Sequence, residues 1–124
     1  MDILAIKPQT IAVEIKHPAT GESIGLTVDC VSLEDDRVKA VERKIRNRAL
    51  SSGRNKMTAE KVEDNTIELL TAVIVGWSWA KGLKLGDLEN PPLTNENVKM
   101  LLSVNWIAKQ IDVAIGDEAA FFKE

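Results

Sequence analysis

One cysteine, one histidine and no tyrosine leave this 124-residue chain few of the side chains that carry covalent or metal chemistry. A lone Cys30 excludes an internal disulfide and suits a reducing compartment. Any Ser-His or Cys-His arrangement would have to use His17, which sits beside Pro18 in a polar stretch that reads as a turn. Zinc wants about four ligands, usually Cys and His at close spacing, and they are absent. No phosphate loop or dinucleotide fingerprint occurs, because Gly82 and Gly86 are separated by LKL with no lysine-serine tail. The expectation is a protein that is not an enzyme, with no catalytic residue, cofactor or metal.

Long apolar runs are missing too. The longest, LLTAVIVGWSWA from Leu69, is too short to span a bilayer and has acids just upstream. At the start of the chain, Asp2 stands where a secretory signal would be positive, and Lys7 and Pro8 interrupt the first apolar residues. A cytoplasmic protein with no membrane partner is expected. The net charge is a modest −3, and the length suits one domain, residues 1–124, able to bury its own core.

What is present falls into two kinds of pattern. In IAVEIKHPATGESIGLTVDCV, from Ile11 to Val31, apolar residues alternate with polar ones on both sides of a turn cluster, His17 to Ser23. This predicts a β-hairpin over about 11–31 with one wet and one buried face. Ser32 then offers an N-cap, followed by acids in a first turn. Val38, Val41, Ile45 and Ala49 recur at helical spacing, predicting a helix over about 33–51.

Thr58 caps a second predicted helix, about 59–80, whose buried stripe would be Val62, Thr66, Leu69 or Leu70, Val73 and Trp77. Gly82 would end it in a left-handed conformation, with Pro91 and Pro92 in the loop that follows. Thr94 caps a third helix, 95–103, with Asn97 in the reciprocal position of a capping box. Asn105 would cap a fourth, 105–122. The fold class is α+β: an N-terminal β-hairpin packed on a mainly α-helical bundle of about four helices.

Two features suggest contacts. On a helix, Trp77 would anchor the core, and Trp79, two positions on, would point elsewhere; that makes Trp79 a candidate partner-binding aromatic. Eight of the sixteen Lys and Arg lie between Arg37 and Lys56, opposed only by Glu42, whereas from Glu63 onward ten acids face five bases. The basic stretch, with Arg43, Arg46 and Arg54 as candidate contacts, could serve an acidic partner or head-to-tail self-association. It could equally be a solvated face, or serve a small nucleic-acid-associated protein. The chain's overall acidity and the lack of interleaved aromatics weigh against nucleic acid. His17 and Cys30 read as a turn residue and a small buried hydrophobe.

The second half carries an ordered string of motifs. VGW runs from Val75 to Trp77, and Pro91 and Pro92 lie in the loop. TNENVKMLL spans Thr94 to Leu102, in the pattern TxENVxxLL. WIAKQI spans Trp106 to Ile111, in the pattern WIxxQI, and GDEAAFF spans Gly116 to Phe122. From about Thr58 to the C-terminus this string resembles the tail assembly chaperones of long-tailed (siphovirus-type) bacteriophages.

The resemblance implies a non-catalytic holdase of the host cytoplasm. Such a protein binds the long, apolar, helical tape-measure protein and keeps it soluble. It helps the tail-tube protein assemble around that client and is absent from the finished virion. A homo-oligomer is implied, as is a longer frameshifted form of the same chain as a further partner. The family motifs assign no contact residue.

Overall fold

The computed structural model describes residues 2–6, 8–51 and 59–122. Alternation in the first segment produces strands β1 (Ile11–Lys16) and β2 (Ser23–Cys30), paired antiparallel with Val13 opposite Val28 and a register shift between Glu14 and Lys16. The turn closes as its composition suggests. His17 N–H donates to Glu22 C=O, Gly21 N–H donates to His17 C=O, and Gly21 takes the left-handed conformation that glycine adopts without a Cβ penalty. The His17 imidazole accepts a hydrogen bond from Ala19 N–H, so it serves the turn.

Helix α1 (Asp36–Ser51) starts later than the sequence implies. Ser32 closes a separate turn, its hydroxyl accepting from Glu34 N–H and its carbonyl from Asp35 N–H. Asp35 caps the helix instead, accepting from Arg37 N–H at 2.9 Å. The delay has a cause: Val31 N–H donates to Val73 C=O, which ties the chain to the far end of the next helix and leaves Ser32–Asp35 to turn it. Val38 is buried, Val41 and Ile45 are half-buried, and Ala49 is exposed. The predicted stripe therefore leaves the core as α1 proceeds.

The largest departure is in the second predicted helix. Helix α2 (Ala59–Val73) stops at Val73, and Ile74–Trp79 form strand β3, which pairs antiparallel with β2. The sheet order is β1-β2-β3. An apolar run of this length fits either period. Two facts decide for a strand: IVGWSW combines β-branched and aromatic residues with Gly76, a poor helix former, and β2 offers an edge of unpaired backbone groups that a helix could not satisfy. The predicted helix stripe holds only at its centre. Val62 and Thr66 are exposed, and the buried face of α2 is carried by Leu70 and Val73. Thr58, expected as a cap, lies outside the described residues.

Gly82 is left-handed as expected, but in the turn after β3 rather than at a helix end. The loop then holds a small hairpin, β4 (Lys84–Leu85) and β5 (Leu88–Glu89), turning at a left-handed Gly86. Helix α3 (Asn95–Leu102) begins as expected, with Thr94 Oγ1 accepting from Asn97 N–H at 3.1 Å. The reciprocal half of the box does not form, because the shorter Asn97 side chain donates to Pro92 C=O instead.

Helix α4 (Asn105–Gly116) has Val104 at its cap position, with no side-chain cap, so Asn105 is its first residue and not its cap. It ends at Gly116, and Glu118–Phe122 follow as a 3-10 turn rather than more α-helix. Gly116, poorest of the ordinary helix formers, allows that break.

The architecture is thus α+β, a three-stranded antiparallel sheet with helices on one face. Leu26, Val28, Cys30 and Ile15 of the sheet meet Leu70 and Val73 of α2, Val98, Leu101 and Leu102 of α3, Ile107, Ile111 and Ile115 of α4, and Phe121. Full burial of each such aliphatic side chain contributes roughly 1.5–3 kcal/mol. The opposite sheet face carries Ala12, Glu14 and Ser78, all exposed.

Candidate functional site

Helix α1 is basic along most of its length, but its charges are not equivalent. Near its start they are answered locally. The Arg37 guanidinium makes two hydrogen bonds to the Asp35 carboxylate, at 3.0 and 3.1 Å, and Lys39 Nζ lies 3.0 Å from Glu34 Oε2. These partners hold the Asp35 carboxyl below its ordinary value, chiefly through the Arg37 hydrogen bonds, and raise Arg37 and Lys39 above theirs. Near its end, Arg48 pairs with Glu68 of α2. Between these pairs, Arg43, Lys44 and Arg46 make no ion pair with any described residue.

Arg43 and Arg46 are three apart and share a helix face. With Asp36, Lys39 and Glu42 they line an open surface recess of about 320 Å³. The structure therefore brings together two of the four candidate contact residues. Arg54 lies outside the described residues. Two exposed apolar side chains sit on the same pair of helices, Leu50 at 73% and Val62 at 50% exposure.

Trp79, the fourth candidate, is placed differently from the helical reading. On a strand, residues two apart share a face, so Trp77 and Trp79 lie side by side, ring centroids 5.5 Å apart and nearly perpendicular. Their partners across the ladder are Val28 and Leu26, so both indoles lie on the core side of the sheet, half-buried. Trp79 therefore shares the face of Trp77 instead of pointing elsewhere as it would on a helix. Trp77 Nε1 donates to Pro91 C=O at 3.0 Å and so pins the loop over the sheet. Trp79 Nε1 is buried and has no hydrogen-bond partner among the described residues.

Cys30 is fully buried on the core face, and that desolvation, with the neighbouring Asp29 charge, pushes its thiol up to about 12. A thiol so placed is a packing group. Among the described residues, no group of three or more His, Cys, Asp and Glu could hold a metal ion, and no helix is long and apolar enough to cross a membrane.

Two features of the sheet were not expected from the sequence. Gln110 of α4 clasps the outer edge of β1, its Oε1 accepting from Lys16 N–H and its Nε2 donating to Lys16 C=O, both at 2.8 Å. This side-chain amide stands in for a neighbouring strand. The other feature is the free edge of β3. Its signal was in the text, since Trp77 and Trp79 alternate with Gly76 and Ser78.

No protein-family model matches the chain, and no curated protein or solved structure is significantly similar to it.

Proposed function

We propose that this chain is a tail assembly chaperone that binds and solubilises a tape-measure protein and promotes tail-tube assembly around it. The role is non-catalytic and exercised in the host cytoplasm, with the tail-tube protein, a longer frameshifted form and further copies of the chain as partners. The motif string from Val75 to Phe122 supports the reading, with one qualification. Its apolar members Val98, Leu101, Leu102, Ile107, Ile111 and Phe121 are buried, so the string speaks for the fold and leaves the contact surface to other residues.

The observation that carries the binding role is the exposed part of α1 and α2, where Arg43, Lys44 and Arg46, without an ion pair among the described residues, lie on α1 with exposed Leu50, and exposed Val62 lies on α2. An amphipathic helical client needs both, apolar side chains for its stripe and charge around them for register. Many weak contacts along a long client add through avidity. Co-expression with the tape-measure protein of the same genome is the test. Soluble client that co-purifies, and is lost on Arg43→Glu with Arg46→Glu, is the expected result. Client that stays insoluble and unbound with both the short and the longer product refutes the proposal.

The same three cations favour a second reading, a small nucleic-acid-associated protein. That reading requires DNA binding that weakens steeply with salt and disappears in the same charge-reversed variant.

A further inference from the structure

We infer that the free edge of β3 pairs with β3 of a second copy of this chain, antiparallel about a two-fold axis, joining two three-stranded sheets into one of six strands. The hydrogen-bond pattern fixes which groups are available. Ala80 N–H donates to Gly25 C=O at 2.8 Å, which makes Gly25 and Ala80 a hydrogen-bonded pair. Bonded and non-bonded pairs alternate along an antiparallel ladder. Ser78 opposite Thr27 is then bonded, while Trp77 opposite Val28 and Trp79 opposite Leu26 are not. The N–H and C=O of Trp77 and Trp79 therefore point away from β2. They meet no hydrogen-bond partner among the described residues. A row of such groups is a template for another strand.

The occupant is a second copy because β3 is complementary to itself. From Ile74 to Ala80 the chain has no charge and no proline, so antiparallel self-pairing sets no like charges opposite each other. With Trp77 opposite its own copy, Trp79 meets Val75 and Lys81 meets Val73. Val73 is the last residue of α2, whose last turn carries no basic residue, and a cation is favoured at that end of a helix. The other edge of the sheet is guarded. Gln110 occupies the Lys16 backbone groups, the register shifts between Glu14 and Lys16, and both side chains are exposed charges. One open edge and one guarded edge give a closed pair rather than a fibre. The pairing gives a form to the self-association named in the proposed function, but it needs no client, so its test can fail without the tape-measure reading failing.

Hydrogen exchange of the purified chain across a concentration series, read beside sedimentation, tests this. The expected result is a dimer as the limiting species, with the Trp77 and Trp79 amides slowing as dimer forms. Ser78→Lys, at an exposed position, should lose both the dimer and that protection while keeping the circular dichroism spectrum. Ser78→Cys should cross-link to its own copy through a short bis-maleimide, since two such residues lie about 8 Å apart in this register. Each of three results overturns the pairing: a monomer at every concentration, a dimer whose Trp77 and Trp79 amides exchange as in the monomer, or assembly that grows without stopping at two.

Discussion

Replacing Gly25 by alanine tests the strand that the sequence disguised. A Cβ at Gly25 would lie 2.6 Å from the Ala80 Cβ, and the residue has φ +93°, which L side chains rarely adopt. Two costs follow, and they separate. Left-handed strain is about 1–2 kcal/mol for a non-glycine residue, and overpacking adds about 1–3 kcal/mol. Gly25→Ala alone should therefore destabilise by roughly 2–5 kcal/mol, within reach of a domain of ordinary stability. Ala80→Gly alone removes the opposing methyl group and should cost at most about 1 kcal/mol. Together the clash disappears, because the next nearest atom, the Ala80 Cα, is 3.9 Å away, and only the strain remains. Urea unfolding followed by tryptophan fluorescence on all four proteins gives the coupling, expected at about 1–3 kcal/mol in the direction of rescue. If the two changes add to within about 0.5 kcal/mol, residues 25 and 80 do not face one another. The pairing of β2 with β3 would then be wrong, and a helix running through Ala80 would return as the better description.

Two further outcomes follow from single residues. Gln110→Ala removes both hydrogen bonds to the Lys16 backbone and should lower the unfolding free energy by about 1–2 kcal/mol, with faster exchange of the Lys16 amide; unchanged exchange there would show that the clasp does not form. Cys30 should resist thiol reagents at pH 8 until the chain unfolds. Its folded pKa of about 12 lies above the unfolded value of about 8.5, so its contribution is fully present below about pH 8.5 and is lost as pH rises towards 12. Cys30→Ala should flatten that alkaline fall in stability, and an equally steep fall in the variant would place its origin elsewhere.

Local patterns gave away most of the fold. Alternation over Ile11–Cys30 and the Thr94 cap need only neighbouring residues to be read, and both stand as read. The boundary at Val73 does not, because Leu69–Ala80 is apolar at helical and strand spacing alike. What chooses between them is a distant edge, β2, and a glycine at position 76 whose added Cβ would lie 2.8 Å from Asp29 Oδ2. The stripe on α1 and α2 was legible as a stripe. How much of it reaches the core was not, since that depends on where the sheet ends. The cluster of basic residues was plain in the text. Which of them pair was not, because Arg37 and Lys39 are answered by Asp35 and Glu34 just before the helix and Arg48 by Glu68, while Arg43, Lys44 and Arg46 have no ion pair among the described residues. The Gln110 clasp joins residues 94 apart and has no local signal at all.

The proposed role is tested most directly by titrating the purified chain, in parallel and across a salt series, with a soluble helical segment of the tape-measure protein and with duplex DNA. The tape-measure segment is expected to bind, more weakly after Arg43→Glu with Arg46→Glu, and DNA at physiological salt is expected not to bind. Binding to DNA with a steep salt dependence, and none to the tape-measure segment, would contradict the proposed role and give α1 to nucleic acid.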